Sequence, residues 1–358
     1  MCVDMSIKNK IIWGKIMRIG IITIYESITN MGSFLQAYAL KTVLEDLGHE
    51  VYLIQNTPAS EWIKKYVCKI NPKREFFLRL KKAKHFLDDL TMLKLLPKDK
   101  ISEAKLDILI YGSDEIWNLE NPYFRENIFW GLGKNTIKKV AYAISIGAMT
   151  SDTEKKYNYY LENLSSFTQI LVRDKVTKQF VERNVKMSPK LVCDPTILTP
   201  VQKINRECKK YPKEKYLLVY TYGVDSWLEK QIVRFARKNN LLILSPCFWH
   251  YWADKVIECS ALELGSLMAH AEYVVTTTFH GAIFSLLNHT KCCIYPTREK
   301  VTDVVYRLGE EHRLINEHCK DEEFDKIINM PFDSLEFENR IEEWRKESLA
   351  LLEEALLK

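Results

Sequence analysis

His280, in the segment AEYVVTTTFHGAIFSLLN, is well placed for acid–base or anion-binding chemistry. The apolar run before it predicts a strand and the apolar run after it predicts a helix, so the imidazole lies at a strand-to-helix junction. There it can bind an anion or transfer a proton near neutral pH. Gly281 permits close approach of a ligand, and Thr277 and Thr278 supply hydroxyl groups. A histidine that only packs inside the fold is the alternative interpretation.

Three other polar turns follow apolar strand segments in the same way. The turn TNMGSFLQ has Asn30, Gly32 and Ser33 at the predicted start of a helix. Backbone N–H groups at a helix start can bind an anion or a sugar hydroxyl. A simple helix cap explains the same residues, so this turn alone does not separate the two interpretations.

The turn YGSDEIWN combines a carboxylate with an aromatic ring. Asp114 suits a general base or an acceptor for a sugar hydroxyl, and a helix cap is the alternative. Trp117 suits stacking on a sugar ring, although tryptophan is commoner in a core. Ser113 and Asn118 lie beside them and are further candidates for substrate binding.

The segment VRDK contains Arg173 and Asp174 directly after a predicted strand. A guanidinium at a strand end can hold a carboxylate or a phosphate through two parallel hydrogen bonds. Asp174 can cap the following helix or take part in substrate binding. A purely structural Arg–Asp pair is the alternative.

These turns share one predicted position, the carboxyl ends of parallel strands. Apolar strand segments alternate with amphipathic helical segments, a pattern typical of parallel sheets covered on both faces. Ligands bind at the carboxyl edge of such sheets. The sequence therefore predicts an α/β protein with two Rossmann-like domains and mostly parallel sheets that face a cleft. The predicted divisions are an extension at 1–16, a first domain at 17–195 with a basic helical insertion at 61–105, a second domain at 196–332 and a C-terminal amphipathic helix at 333–358.

The composition is that of a globular chain: 358 residues, of which 47% are hydrophobic and 28% charged. Collagen-like and fully disordered proteins are excluded. The net charge of +5 is too small for a dedicated nucleic-acid-binding protein, so no nucleic-acid partner is expected. The 9 cysteines have neither CxxC nor zinc-site spacing, so reduced thiols and no metal site are expected. No apolar run approaches a membrane span of about 18 residues, which predicts a cytoplasmic protein.

Residues 61–105 carry 13 Lys and Arg against 6 Asp and Glu. One interpretation is one or two amphipathic helices with a solvated basic face. The other is a surface that attracts anionic glycans or lipid headgroups and associates with the inner face of the membrane. The charge pattern alone does not choose between them.

Six segments, in order along the chain, resemble the polysaccharide pyruvyl transferase family. They are NMGSFLQAYAL, YGSDEIWN, AYAISIG, ILVRDKVTKQFVE, VCDPTIL and HAEYVVTTTFHGAIFSL. The resemblance implies a GT-B-like arrangement, in which two Rossmann-like domains face a cleft and a C-terminal helix packs back. Two departures are mild: the family's usual S-F-H-G has Thr278 in place of the serine, and Ile146 replaces the more common Phe before a glycine.

The resemblance also implies an activity, the transfer of a pyruvyl group from phosphoenolpyruvate to two hydroxyls of a sugar, forming a cyclic ketal during cell-surface polysaccharide synthesis. By resemblance, His280 and Arg173 would bind or protonate the donor. Asp114 would act on the acceptor, a glycan or a lipid-linked saccharide. Lys291 or Arg298 would add positive charge for the donor, and no metal or cofactor is implied.

Two other functions stay open at this stage. A GT-B glycosyltransferase would use a nucleotide sugar instead of phosphoenolpyruvate. A non-catalytic scaffold of envelope biosynthesis would use the basic segment 61–105 for membrane contact. The intact residues His280, Gly281, Arg173 and Asp114 argue against the scaffold.

Overall fold

Two parallel β-sheets form the frame of the chain in a computed structural model. The structure describes residues 15–358 except 27, 29, 69–72 and 134–135, so most of the predicted extension 1–16 lies outside it. The first sheet has seven strands and the second has five. All paired strands within both sheets are parallel, which confirms the predicted fold class.

The first sheet has the strand order β3-β2-β1-β4-β5-β6-β7. Its strands are β1 (Arg18–Ile22), β2 (Glu50–Gln55), β3 (Leu95–Pro97), β4 (Ile108–Tyr111), β5 (Lys138–Ile144), β6 (Gln169–Val172) and β7 (Lys190–Leu191). The helices of this half are α1 (Met31–Asp46), α2 (Ala59–Cys68), α3 (Lys73–Leu90), α4 (Ser151–Lys156), α5 (Lys175–Asn184), α6 (Pro195–Leu198) and α7 (Val201–Ile204). Short 3₁₀ helices occupy Lys98–Lys100, Pro122–Phe124, Asn127–Trp130 and Asn158–Ser166. Strand β1 is buried from Ile19 to Ile22 because helices cover both faces of the sheet.

The second sheet has the strand order β10-β9-β8-β11-β12. Its strands are β8 (Tyr216–Tyr220), β9 (Leu242–Pro246), β10 (Lys255–Ile257), β11 (Tyr273–Thr276) and β12 (Cys292–Ile294). Its helices are α8 (Ser226–Lys238), α9 (Ala261–Ala269), α10 (Phe279–Leu287), α11 (Glu299–Arg307) and α12 (Asp321–Ile328), with a 3₁₀ helix at Glu311–Arg313. The order of each sheet therefore reverses once, between β1 and β4 in the first and between β8 and β11 in the second.

The last helix, α13 (Ser334–Leu357), returns to the first sheet. It buries Ile341, Trp344 and Leu352 on one face, as an amphipathic helix does. Lys138 Nζ, at the start of β5, donates to the carbonyl of Leu356 over 2.9 Å. This confirms the prediction that a C-terminal helix packs back. The predicted domain boundaries stay predictions.

In the described part of the basic segment 61–105, the α-helices end with α3, and the only helix that follows is the 3₁₀ helix at Lys98–Lys100. Strand β3 also lies in this segment and pairs with β2 at the edge of the first sheet, which the sequence interpretation missed because three residues ending in proline give little strand signal. Helix α3 contacts the second half of the chain, since the Asp89 carboxylate accepts from Ala261 N over 2.7 Å. Among the described residues, no helix has the length and apolar character needed to cross a membrane.

Candidate active site

The turns that follow β1, β4, β8 and β11 meet where the order of each sheet reverses. Tyr222, after β8, donates from its hydroxyl to the Asn30 side chain over 3.1 Å, and Asn30 follows β1. Arg298, after β12, pairs with Glu115, after β4, over 3.1 Å. The carboxyl edges of the two sheets thus face each other. A reversal of strand order is where parallel α/β sheets bind ligands.

Arg173 lies at the centre of this region, held between two carboxylates. Its Nη1 donates to Asp194 Oδ2 over 2.8 Å and its Nη2 donates to Asp114 Oδ1 over 2.9 Å. The side chain is 2% exposed, so the charges are removed from water. Burial opposes the charge, yet the two carboxylates hold the pKa of Arg173 above its usual value. The predicted Arg–carboxylate pairing exists, but its partners are Asp114 and Asp194 instead of Asp174.

The two carboxylates remain ionised for the same reason. Burial alone would raise the pKa of Asp114, but Arg173, Lys300 and His280 hold it below the usual value. Burial likewise opposes ionisation of Asp194, but His280 and Arg173 hold its pKa far below the usual range. A carboxylate with a lowered pKa is a weak base. Asp114 therefore suits holding Arg173 better than accepting a proton from an acceptor hydroxyl.

His280 lies in the first turn of α10, which is capped by the Thr278 side chain accepting from Gly281 N over 3.0 Å. Its Nε2 is 3.8 Å from Asp194 Oδ1 and has no hydrogen-bond partner in the described part of the chain. The ring also packs against the turn after β1, because a Cβ built on Gly32 would lie 2.1 Å from His280 Nδ1. Gly32 thus makes room for the imidazole between the two sheets.

Substituting Gly32 by alanine tests this contact. The added methyl group must push the His280 ring aside, and overpacking of a buried contact costs about 1–3 kcal/mol of the free energy of unfolding. We expect that loss in urea unfolding, together with a shifted His280 ring signal in NMR spectra. Gly223→Ala is the matched control, since a Cβ there has no atom within 4 Å. Equal stability of both variants, with an unmoved ring signal, would contradict the contact.

Further cations lie beside this cluster. Lys300 Nζ is 2.5 Å from Glu115 Oε1, and its ammonium also lies 5.3 Å from the centre of the Phe279 ring. A cavity of about 580 Å³ opens here between the two halves. Its lining includes Arg173, Lys300, Asp174, Asp194, Phe279, Arg307 and Trp344.

Most other predicted residues of the turns lie at the cleft as parts of its scaffold. Asn30 caps α1 by accepting from Ser33 N, and Asp174 caps α5 by accepting from Thr177 N over 2.7 Å. Ser113 is buried and bonds through its N–H and hydroxyl to Gln36 Oε1, which joins the turns after β1 and β4. These residues fix the site through capping and buried hydrogen bonds.

The remaining predicted residues lie near this scaffold. Thr277 is buried and accepts at its carbonyl from the Thr297 hydroxyl over 3.3 Å. Asn118 bonds to the Glu115 side chain over 3.3 Å. Gly281 has no space for a side chain, since a Cβ would lie 2.1 Å from Thr276 Oγ1. Close packing, and not ligand approach alone, therefore accounts for Gly281.

Two sequence predictions need correction. Trp117 is 0% exposed, and its Nε1 donates to the Phe129 carbonyl over 2.9 Å. Its ring stacks on Trp130. Trp117 is therefore a core residue and presents no face to a sugar. Lys291 immediately precedes β12 and lies over the Tyr273 ring at the start of β11. Lys291 and Tyr273 thus lie at the amino ends of parallel strands, opposite the edge that carries His280.

Four residues of the cluster were missed by the sequence interpretation: Asp194, Glu115, Lys300 and Tyr222. The position of Asp194 was predictable from the sequence, because an Asp-Pro pair after a strand predicts a capped helix start at the carboxyl edge. The other three are recognisable only through contacts between the two halves. No group of three or more His, Cys, Asp or Glu side chains in the described ranges is arranged to hold a metal ion.

Comparisons with known proteins concern the family and the fold. A family model described as polysaccharide pyruvyl transferase matches residues 30–297, well over half of the chain, and this span includes the cluster from Asn30 to His280. Comparison with curated proteins gives no significant match.

Solved structures with the same fold include two sugar-nucleotide epimerases. The UDP-GlcNAc 2-epimerase of Methanocaldococcus jannaschii is 11% identical, with 89% of this chain and 93% of that chain covered and a TM-score of 0.52. The UDP-GlcNAc 2-epimerase of Neisseria meningitidis bound to UDP-GlcNAc is 8% identical, with 95% and 99% covered and a TM-score of 0.52. These likenesses support the predicted GT-B-like arrangement of two Rossmann-like units and concern the fold alone.

Proposed function

Because this chain belongs to the polysaccharide pyruvyl transferase family, we propose that it transfers a pyruvyl group from phosphoenolpyruvate to two hydroxyls of a glycan sugar, forming a ketal. The observation that carries the proposal is the buried cluster in which Arg173, pinned by Asp114 and Asp194, lies beside His280. Such a cluster offers a fixed cation and a proton-transfer group within one cleft.

The donor is a small anion with a phosphate and a carboxylate, and the cleft offers groups for both. Arg173 Nε has no hydrogen-bond partner within the described part of the chain and its side chain lines the cavity of about 580 Å³. Lys300 lies in the same lining and Arg298 nearby, both paired with Glu115. Backbone N–H groups at the start of α10 add a further anion-binding feature. We assign donor binding to these groups.

His280 is the group we assign to proton transfer. A protonated His280 gives its proton to the methylene carbon of phosphoenolpyruvate, which becomes a methyl group and leaves an oxocarbenium-like centre on the next carbon. The neutral imidazole then takes the proton of the first sugar hydroxyl as its oxygen adds to that centre. The second hydroxyl oxygen displaces phosphate, which carries away the remaining proton. The Asp194 carboxylate lies 3.8 Å from Nε2.

A thermal-shift comparison tests the donor. We expect phosphoenolpyruvate to raise the melting temperature, and UDP- or GDP-sugars to leave it unchanged. Stabilisation by a nucleotide sugar alone would favour a glycosyltransferase and overturn the proposal.

Lys300→Met is expected to weaken phosphoenolpyruvate binding by about tenfold or more, because a hydrogen bond to a charged group contributes about 1.5–3 kcal/mol. The measurement is titration calorimetry of each variant with phosphoenolpyruvate. Lys291→Met removes a cation at the opposite edge of the sheet and is expected to bind the donor like the unmodified protein. Equal losses in both variants would mean that Lys300 has no particular role.

A glycan or lipid-linked saccharide acceptor and a cytoplasmic location at the inner face of the membrane are part of the proposal.

Helix α3 supports membrane contact because it buries Lys82 and Asp89 and exposes Phe77 and Leu80 by 70% and 41% of their surfaces. Exposed Lys81 and Lys84 flank this face. We expect flotation with vesicles of anionic phospholipid, lost in a Phe77→Ser, Leu80→Ser double variant but kept in Leu335→Ser. Flotation unchanged by the double variant would contradict this role.

A further inference from the structure

An aromatic surface adjoins the site through Tyr222, which bonds to Asn30. It consists of Tyr222, after β8, and Phe248, Trp249 and Tyr251, in the loop between β9 and β10, and we call these four residues the aromatic rim. Tyr222, Trp249 and Tyr251 are exposed by 56%, 53% and 79%. A patch of exposed aromatic side chains on two adjoining loops is typical of a ligand-binding surface.

The aromatic rim is continuous with the cluster around His280. Tyr222 bonds to Asn30, two residues before the Gly32 that packs against the His280 ring. Phe248 meets Tyr222 edge to face, with ring centres 5.1 Å apart. Because β8 and β9 are direct neighbours, the loops that follow them meet through this ring contact, and the loop after β9 also carries Trp249 and Tyr251. The Tyr251 hydroxyl donates to Glu229 in the first turn of α8.

The chemistry of the aromatic rim excludes the donor as its occupant. Its four side chains carry no charge, whereas phosphoenolpyruvate needs cations. Cations close to it are already occupied: Lys82 Nζ is buried behind Phe248, 4.5 Å from the ring centre, and Arg298, whose charge acts on Tyr222, is paired with Glu115. Flat apolar faces with hydroxyl groups at their edges suit the C–H faces of pyranose rings and their hydroxyls.

We propose that the aromatic rim binds the acceptor glycan through the sugars that precede the reacting one. The terminal sugar would reach His280 while the sugars behind it stack on Trp249 and Tyr251. The inference rests on the proposed transferase function for the position of the reacting sugar. It adds the residues that bind the acceptor beyond its reacting sugar.

Binding of the protein to an array of pyranose monosaccharides and oligosaccharides tests the proposal without any donor present. We expect oligosaccharides to be retained more strongly than the matching monosaccharides. Trp249→Ala is expected to weaken that retention about tenfold, a typical effect of losing an aromatic contact, and Trp249→Phe to restore part of it. Tyr159→Ala, which removes another exposed aromatic ring outside the aromatic rim, is the matched control and should bind like the unmodified protein.

Three results would overturn the assignment: no glycan retained by the unmodified protein, equal retention of single sugars, or undiminished retention by Trp249→Ala. Thermal stabilisation by phosphoenolpyruvate, measured on the same variants, keeps the two proposals apart. Retention that depends on Trp249, without stabilisation by phosphoenolpyruvate, would support acceptor binding at the aromatic rim and contradict phosphoenolpyruvate as the donor. Stabilisation by phosphoenolpyruvate, without retention that depends on Trp249, would contradict only the assignment of acceptor binding to the aromatic rim.

Discussion

Replacing Arg173 by methionine is expected to lower the free energy of unfolding by about 3–5 kcal/mol at neutral pH, the cost of leaving buried charges without their partner. The guanidinium neutralises Asp114 and Asp194, both buried, so its removal leaves two buried carboxylates without their shared cation. Urea unfolding monitored by circular dichroism measures the effect. We also expect the variant to lose phosphoenolpyruvate binding.

The pH dependence of the stability loss in Arg173→Met identifies its cause. Both carboxylates have lowered pKa values in the folded protein, so their ion pairs stabilise it above the ordinary carboxyl pKa of about 4 and lose this contribution as pH falls further. Without Arg173 the carboxylates can instead take up protons, so the deficit of the variant should shrink as pH falls toward 4. A deficit that is constant with pH would indicate lost packing instead of lost charge compensation.

Two further variants serve as controls for Arg173. Arg173→Lys keeps the charge but loses the planar fork that reaches both carboxylates, and an intermediate stability is expected. Arg237→Met removes an exposed arginine that also makes two bonds to one carboxylate, that of Asp254. An exposed pair contributes about 0–1 kcal/mol, so this variant should remain close to the unmodified protein.

Replacing His280 by glutamine is expected to separate catalysis from stability. Loss of an acid–base group lowers kcat by about 10²- to 10⁴-fold. Stability should change much less than in Arg173→Met, because Arg173 still holds both carboxylates through hydrogen bonds. Steady-state rates of phosphate release from phosphoenolpyruvate, in the presence of a mixture of glycan acceptors, give kcat and KM separately.

The matched control for His280 is His318→Gln, since that side chain is 86% exposed and pairs with Glu317. It should retain the full rate. A His280→Gln variant with a kcat within threefold of the unmodified protein would place the proton-transfer group elsewhere. A large loss of stability in the same variant would show that the ring is a packing element of the cleft.

Local patterns in the sequence predicted which edge of each sheet carries polar turns. Strand-to-helix junctions around Asn30, Asp114, Arg173 and His280 were recognisable because apolar runs define strands and polar residues follow their ends. Gly32 was predicted as a site for a ligand, whereas in the folded chain it accommodates the His280 ring. Pairing between turns depends on the packing of the two halves, which no local pattern encodes.

The errors have physical causes of the same kind. Trp117 follows a polar turn, but the direction of its side chain depends on Trp130 and Phe129, which form a core 12 or more residues away in sequence. Lys291 was placed by its charge, although a residue just before a strand must lie at the amino edge. The exposure of Phe77 and Leu80 on α3 was not predicted, because two charged residues, Lys82 and Asp89, are buried on this helix together with apolar ones.

The most direct test of the proposed activity is incubation of the protein with phosphoenolpyruvate and a mixture of oligosaccharide acceptors, followed by mass spectrometry and phosphate analysis. We predict an acceptor whose mass increases by one pyruvate less one water, with one phosphate released for each product formed. His280→Gln should give neither product nor phosphate above background. A product that gains a sugar from an added nucleotide sugar, while phosphoenolpyruvate stays intact, would contradict the proposal.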